Sequence, residues 1–159
     1  MFRKMVEEKK AIANGRDLDI STRQAVEVCS WIKGERTEKA KMMLENVINK
    51  KVPVPYKRYL EGAGHKPGMG AGRYPWKCAK AILKIVKLAE ANAANKGLSS
   101  QLFISAAVAN KASIPIHYGR HGGRKMKRTH VFIEVKEYNE KEPKKKGKSI
   151  QGKSEVKND

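Results

Sequence analysis

The sequence contains few of the residues that disulfide-bonded, acidic or membrane-spanning proteins need. Its 159 residues include 2 cysteines and 16 acidic residues, against 35 lysines and arginines. Cys29 and Cys78 are far apart and each lies in a helical pattern, so we expect reduced thiols in a cytosolic protein, buried or half-buried, and no disulfide. The most apolar window, residues 78–94, is interrupted by lysines and cannot span a bilayer. Residues 1–10 alternate charges, so we expect no signal peptide.

Residue arrangements typical of an active site or a metal site are also missing. The carboxylates are scattered over helix faces, and the Ser, Cys and His residues form no recognisable nucleophile arrangement. His117 and His121 are four residues apart, but the surrounding glycines argue against a helix that would hold them together. The glycine-rich stretch 62–72 matches neither the phosphate-loop pattern nor the dinucleotide fingerprint. We therefore expect no enzyme, no cofactor and no bound metal.

Positive charge is abundant and unevenly distributed. The formal net charge is +19, and Glu90 is the only acidic residue between Gly62 and Ile133. Such an excess of cations repels itself in the folded state and is tolerated best where a polyanion neutralises it. Nucleic acid fits better than a membrane surface, because no stretch combines a broad apolar helix face with a basic one. The sequence therefore predicts a phosphate-binding surface, with RNA as the first candidate.

Hydrophobic periodicity predicts an α+β fold in which three helices pack on a small antiparallel sheet. The first helix is expected after Ser21 as N-cap and ends at Gly34, and the second begins at Thr37. Pro75 suits the first turn of a third helix, which ends at Gly97. Alternating apolar residues predict strands at 102–110 and 129–136, and a short edge strand is expected within 10–20.

Composition divides the chain into three parts. We expect a flexible N-terminus at residues 1–9, a single domain at 10–137, and a disordered lysine-rich tail at 138–159. Within the domain, residues 56–74 combine many glycines with lysines and arginines, so we interpret them as an irregular basic loop.

The connection between the last two predicted strands is the most informative stretch. Residues 111–128 are too long for an ordinary hairpin turn and contain no carboxylate. Two strands that continue outward would form a cationic arm with a reach of about 25 Å. Near its tip, His117, Tyr118 and His121 are planar groups able to stack on unpaired bases. We expect this arm to need an anionic partner to fix its shape. Its cations are Lys111, Arg120, Arg124, Lys125, Lys127 and Arg128.

Short motifs spread over residues 10–136 are specific when they are taken together. They are Ile20, Ser21 and residues 25–29, Gly34, residues 54–59, 64–68, 72–75 and 90–93, then Ile114, Pro115, Gly119, Arg120 and residues 129–131. With these motifs the chain resembles the large-subunit ribosomal protein twenty-two family, called seventeen in the older eukaryotic naming. The insertion at 53–75 is similar to that of the archaeal and eukaryotic branch.

The resemblance implies a structural constituent of the large ribosomal subunit in the cytoplasm, without catalytic activity. Such a protein has three helices on a small antiparallel sheet and a long protruding hairpin. It binds rRNA, aids subunit assembly and lines the peptide exit tunnel with its hairpin tip. The implied partners are large-subunit rRNA, neighbouring ribosomal proteins and the nascent peptide. The charge alone also leaves open a non-ribosomal basic RNA-binding protein or RNA chaperone.

Two groups of candidate site residues follow. The RNA-binding candidates are Arg16, Ser21, Arg23, Lys57, Arg58, His65, Lys66, Arg73, Lys77, Lys111, His117, Tyr118, Arg120, His121, Arg124, Lys125, Lys127 and Arg128. The tunnel-facing candidates are Ile116, His117, Tyr118 and Arg120. The family commonly has an arginine after the tip proline, where this chain has Ile116, so the resemblance carries no cationic contact over to that position.

Overall fold

The computed structural model describes residues 9–138. The predicted flexible N-terminus and basic tail fall on residues 1–8 and 139–159, outside the described residues, so the division into three parts stays a prediction. The elements in chain order are β1 (Lys10–Leu18), α1 (Thr22–Ile32), α2 (Thr37–Ile48), β2 (Val54–Pro55), β3 (His65–Lys66), β4 (Gly70–Arg73), α3 (Trp76–Asn95), β5 (Leu102–Lys111), β6 (Ile116–Gly119), β7 (Gly122–Lys125) and β8 (Thr129–Glu137). The predicted α+β class is confirmed.

The main sheet is antiparallel, with β8 in the middle, β5 on one side and β1 on the other. The predicted edge strand is therefore confirmed as β1. It is regular up to Gly15, where its pairing with β8 shifts register, and Asp17 has a positive φ of 50°. On β8, Val131, Ile133 and Val135 alternate with more exposed residues and are almost fully buried. Because successive side chains of a strand point to opposite faces, one face of the sheet packs against the helices.

The helices bury one apolar stripe each and begin where the sequence predicts. On α1, Ala25, Val28 and Ile32 are fully buried, at the spacing of one helix face. Cys29 on α1 and Cys78 on α3 lie in this core as free thiols, which confirms the prediction of buried cysteines. Burial raises the pKa of the Cys29 thiol to about 12, so it stays protonated at neutral pH.

The prediction of an irregular loop at residues 56–74 is wrong. Strands β2, β4 and β3 pair in that order as a second small antiparallel sheet. The turn between β3 and β4 depends on Gly68 and Gly70, whose φ values are 76° and 78°. Glycine adopts such left-handed conformations at little cost. The glycines therefore make tight turns here, whereas the sequence interpretation took them as a sign of irregular structure.

The predicted arm is a two-stranded hairpin that continues the edge of the main sheet. Pairing between β5 and β8 runs to Lys111 opposite Thr129 and is then interrupted. Two backbone hydrogen bonds cross the gap, from Ala112 N to Arg128 O at 3.2 Å and from Met126 N to Pro115 O at 2.9 Å. Pairing resumes between β6 and β7, which a turn at residues 120–121 connects.

Candidate nucleic-acid interface

The tip of the arm presents its planar and cationic side chains to solvent. Residues 113–125 are all exposed, and Tyr118 retains 88% of its accessible surface. Tyr118 lies opposite Gly123 in the hairpin, and His117 lies opposite Arg124. Because glycine has no side chain, nothing on the facing strand covers the Tyr118 ring. The hairpin therefore offers an open ring for base stacking on one face and a histidine beside an arginine on the other.

A cleft separates the returning strand of the arm from the globular part. On the arm side it is lined by Arg124, Lys125, Met126 and Lys127. On the opposite side it is lined by the beginnings of α1 and α3, including Ser21 and Lys77. Neither helix has an acidic residue in its first turn or a side-chain cap, so the Ser21 hydroxyl does not cap α1. The structure thus brings predicted RNA-binding residues from three elements to one positively charged cleft.

Asp19 forms ion pairs with two of the predicted RNA-binding cations at this cleft. Its Oδ2 lies 2.6 Å from Lys77 Nζ, and its Oδ1 lies 3.4 Å from Nη1 of Arg128. The hydrogen bond and charge of Lys77, assisted by Arg128, hold the pKa of Asp19 below its usual value. Lys77 and Arg128 are therefore partly neutralised within the protein, whereas the cations at the tip are not bound to Asp19.

Hydrogen bonds from the segment before α1 fix the end of the arm that returns to the sheet. The buried hydroxyl of Thr129 donates to the Ile20 carbonyl at 3.0 Å and lies 2.9 Å from Thr22 Oγ1. The backbone N–H of Asp17 donates to Nδ1 of His130 at 3.1 Å. These contacts hold the first residues of β8, and with them the root of the arm.

A second group of cations lies where α1 meets the loop that follows β2. Lys57 and Arg58 are exposed on this loop, and the Arg23 guanidinium lies 5.7 Å from the centre of the Tyr59 ring. Beneath them, the carboxylate of Glu27 is buried and accepts backbone hydrogen bonds from this loop. Burial alone would raise the pKa of Glu27, but the backbone hydrogen bonds outweigh it and lower this pKa. The sequence analysis did not identify Glu27 as a site residue.

The candidates on the small sheet are held against aromatic rings. Lys66 Nζ lies 5.4 Å from the centre of the Tyr74 ring, and the Arg73 guanidinium lies 5.9 Å from that of Tyr56. Arg73 also donates from Nη2 to the Glu61 carbonyl at 2.8 Å. His65 is exposed on β3, so of these candidates it is the most accessible.

Arg16 lies apart from the other candidates. It is exposed on β1 and lines a separate cleft together with Asn14, Asn110, His130 and Phe132. None of the other predicted RNA-binding residues lines this cleft. Among residues 9–138, no group of three or more His, Cys, Asp or Glu side chains is placed to hold a metal ion. Nor does that part of the chain contain a helix with the length and hydrophobicity needed to cross a membrane.

Comparison with known proteins identifies relatives over nearly all of the described fold. The family described as ribosomal protein L22p/L17e matches residues 13–136. Large ribosomal subunit protein uL22 of Picrophilus torridus is 44% identical over 120 residues, which cover 72% of this chain and 80% of that protein. The uL22 protein of Methanocaldococcus jannaschii is 37% identical over 140 residues, covering 82% and 90% of the two chains. That of Methanococcoides burtonii is 42% identical over 109 residues, covering 67% and 72%.

Proposed function

Because the chain belongs to the ribosomal protein L22p/L17e family, we propose that it acts within the cytoplasmic large ribosomal subunit by binding rRNA with its arm and the adjacent cleft. The observation that carries this proposal is the arm itself. It is a hairpin without a core of its own, exposed throughout residues 113–125, with cations and no carboxylate. Membership of a family of ribosomal proteins also agrees with the prediction that the chain is not an enzyme.

The mechanism is electrostatic and steric. The cations at the cleft bind phosphates where the globular part meets the arm, and each contact releases counterions from the RNA. The exposed Tyr118 stacks on an unpaired base beyond the reach of the globular part. A protein that holds RNA at both its base and its tip connects rRNA segments that are distant in sequence. This is how we expect it to aid assembly of the subunit, next to neighbouring ribosomal proteins.

Removal of arm cations tests this mechanism. The variant R120A/R124A/K127A is expected to fold normally, because these side chains are exposed. It should bind large-subunit rRNA more weakly, and the slope of log affinity against log salt should fall by about 2 to 3. The matched control K33A/K39A/K51A removes the same charge from exposed positions outside the arm and should retain most of the slope. Equal losses in both variants would contradict a specific role for the arm.

We further propose that the tip lines the peptide exit tunnel. Ile116 and Tyr118 lie on the same side of β6 and are 55% and 88% exposed, which leaves an apolar and an aromatic surface for a nascent peptide. His117 and Arg120 complete the tip. A photo-crosslinking residue at position 116, which leaves the Tyr118 ring free to stack on RNA, should react with the nascent chain in stalled ribosomes. The same residue at position 88, on the outer side of α3, should not. Crosslinks of equal yield from both positions would contradict the proposal.

A further inference from the structure

Glu27 is the one carboxylate that is buried among residues 9–138, with 4% of its surface accessible. Its oxygens are bonded to backbone groups. Oε1 accepts hydrogen bonds from the N–H groups of Arg58 and Tyr59, both at 2.8 Å, and Oε2 accepts one from Lys57 at 3.1 Å. Successive backbone N–H groups that converge on one anion form a nest, an arrangement that proteins also use to bind phosphate.

The occupied nest determines what the loop can offer to RNA. Because its N–H groups are bonded inward to Glu27, they are not available to a phosphate. The side chains of Lys57 and Arg58 are exposed on the outside of the same loop. Arg23, one helical turn before Glu27 on α1, lies over the Tyr59 ring and adds a third cation to the patch. The loop therefore presents charged side chains to solvent from a backbone that α1 holds in place.

We propose that Glu27 is a positioning residue, whose carboxylate fills the backbone nest of residues 57–59 and so holds Lys57 and Arg58 in the geometry in which they bind rRNA. The inference rests on the proposed rRNA binding and adds a residue that does not touch the RNA. Fixing the loop before binding lowers the conformational entropy that the complex would otherwise lose.

The chemistry of the nest makes glutamine an informative replacement. The amide of glutamine has nearly the shape of the carboxylate, but one of its two terminal atoms is an NH2 donor. In either orientation that donor faces an N–H group, so the variant E27Q loses at least one hydrogen bond of the nest. At the same time E27Q makes the protein more positive, which by charge alone should strengthen RNA binding. Positioning and simple electrostatics therefore predict opposite changes in affinity.

The experiment measures binding of the full chain to large-subunit rRNA of Picrophilus torridus, transcribed in vitro, over a series of salt concentrations. We expect E27Q to bind about fivefold more weakly than the wild type, with a smaller salt slope. The control E45Q makes the same charge change at an exposed position of α2 and should bind equally or more tightly. Amide hydrogen exchange at residues 57–59 should accelerate in E27Q, while exchange in β8 should not.

A variant without the two loop cations separates positioning from other roles of Glu27. In the K57A/R58A background, the added E27Q change should cause no further loss of affinity, because the groups that Glu27 positions are already absent. If E27Q is too unstable to measure, E27D keeps the charge but withdraws it by one methylene group, and should also weaken binding.

The possible failures are distinguishable. Affinity of E27Q equal to that of E45Q, or a full additional loss in the K57A/R58A background, would overturn the positioning role and leave rRNA binding intact. A wild-type protein that binds this rRNA no better than tRNA would overturn the proposed function, and this inference with it.

Discussion

At the level of single residues, the buried carboxylate of Glu27 makes stability depend on pH. Burial raises its pKa, but the hydrogen bonds from the backbone of residues 57–59 prevail and place this pKa below 4.5 in the folded state. A lowered folded-state pKa contributes stability above about pH 4.5 that is lost as the pH falls through the folded-state value. We expect E27Q to lower the free energy of unfolding by about 1 to 3 kcal/mol at neutral pH.

This difference between wild type and E27Q should shrink as the pH falls through the lowered folded-state pKa of Glu27, because the wild-type carboxyl group then becomes protonated. Urea denaturation at neutral and acidic pH measures it. The exposed control E45Q should show little difference at either pH. A gap between wild type and E27Q that is constant across this range would contradict the assignment of the charge to the nest.

Tyr56 gives a second prediction for a single residue. Its hydroxyl is buried and has no hydrogen-bond partner among the described residues, and burial raises its pKa to about 12. An unsatisfied buried hydroxyl costs about 1 to 3 kcal/mol. We therefore expect Y56F to leave the free energy of unfolding unchanged or to increase it by about 1 kcal/mol, as measured by urea denaturation. The control Y118F changes an exposed ring and should leave the free energy of unfolding unchanged. A lower free energy of unfolding in Y56F would show that the Tyr56 hydroxyl has a hydrogen-bond partner.

Sequence reasoning identified the cations of this protein but not the groups that hold them. Lys57 and Arg58 were predicted from charge and from family resemblance. The role of Glu27 depends on a loop about thirty residues further along the chain. Neither periodicity nor composition indicates which distant residues contact each other in the fold. The available signal was a charged residue next to the buried positions Ala25 and Val28 of α1. A charge in that position requires a partner, but the sequence does not identify it.

At the level of secondary-structure elements, we expect the direction of the arm to depend on Thr129 at the start of β8. Its hydroxyl donates to the Ile20 carbonyl and pairs with Thr22. The variant T129V keeps the shape but leaves both partners unsatisfied, which should cost about 1 to 3 kcal/mol and loosen the root of the arm. Spin labels on E45C and H121C measure the distance between α2 and the tip of the arm. The native Cys29 and Cys78 are buried, so only the introduced cysteines should be labelled. We expect a broader distance distribution in T129V.

The chain offers a closely matched control for that change. Thr37 is also buried, but its hydroxyl has no partner among the described residues. The variant T37V therefore makes the same chemical substitution without breaking a hydrogen bond, and we expect equal or higher stability and an unchanged distance distribution. Similar distributions in T129V and T37V would show that the hydroxyl of Thr129 does not orient the arm.

Long elements were predictable from the sequence, and short ones were not. The helices and the strands β5 and β8 contain several repeats of their apolar period, which places their ends to within a residue or two. Strands β2 and β3 have two residues each, too few to show any period. Their sheet depends on the positive φ of Gly68 and Gly70. A glycine that makes a tight turn has the same sequence signature as one in an irregular loop.

For the whole molecule, internal contacts of the few carboxylates shape the positive surface. Glu90 binds Lys41 between α3 and α2, with both oxygens 2.9 Å from Nζ. Asp19 binds Lys77 at the cleft, and Glu61 lies 3.8 Å from Arg23. These pairs neutralise part of the charge on the globular part, and none of them reaches the exposed residues 113–125. The sequence predicted the total charge; the structure shows which cations these carboxylates pair with.

This distribution of charge leads to a test on ribosomes. At about 1 M salt the screening length is roughly 3 Å, so phosphate contacts of exposed cations lose most of their strength. A protein attached only by its surface charge should then dissociate. A protein whose arm is enclosed between rRNA segments should remain, because release requires the RNA to move. We expect the chain to stay with large subunits in a magnesium-containing sucrose gradient after a high-salt wash, as followed by immunoblot.

The arm variant R120A/R124A/K127A makes this test specific. It keeps the hairpin backbone but lacks three of the cations that we propose to contact rRNA. Because ion pairs enclosed between rRNA segments are screened by salt much less than exposed ones, their loss should let a larger fraction wash off than in the control K33A/K39A/K51A. Release of the wild type into the light fractions would instead indicate a peripheral binder, and an RNA chaperone would then be the better interpretation. If the wild type is retained and the arm variant is released, then the arm must be both enclosed by rRNA and held there by its positive charge. Neither the globular domain nor the net charge of +19 alone accounts for that result.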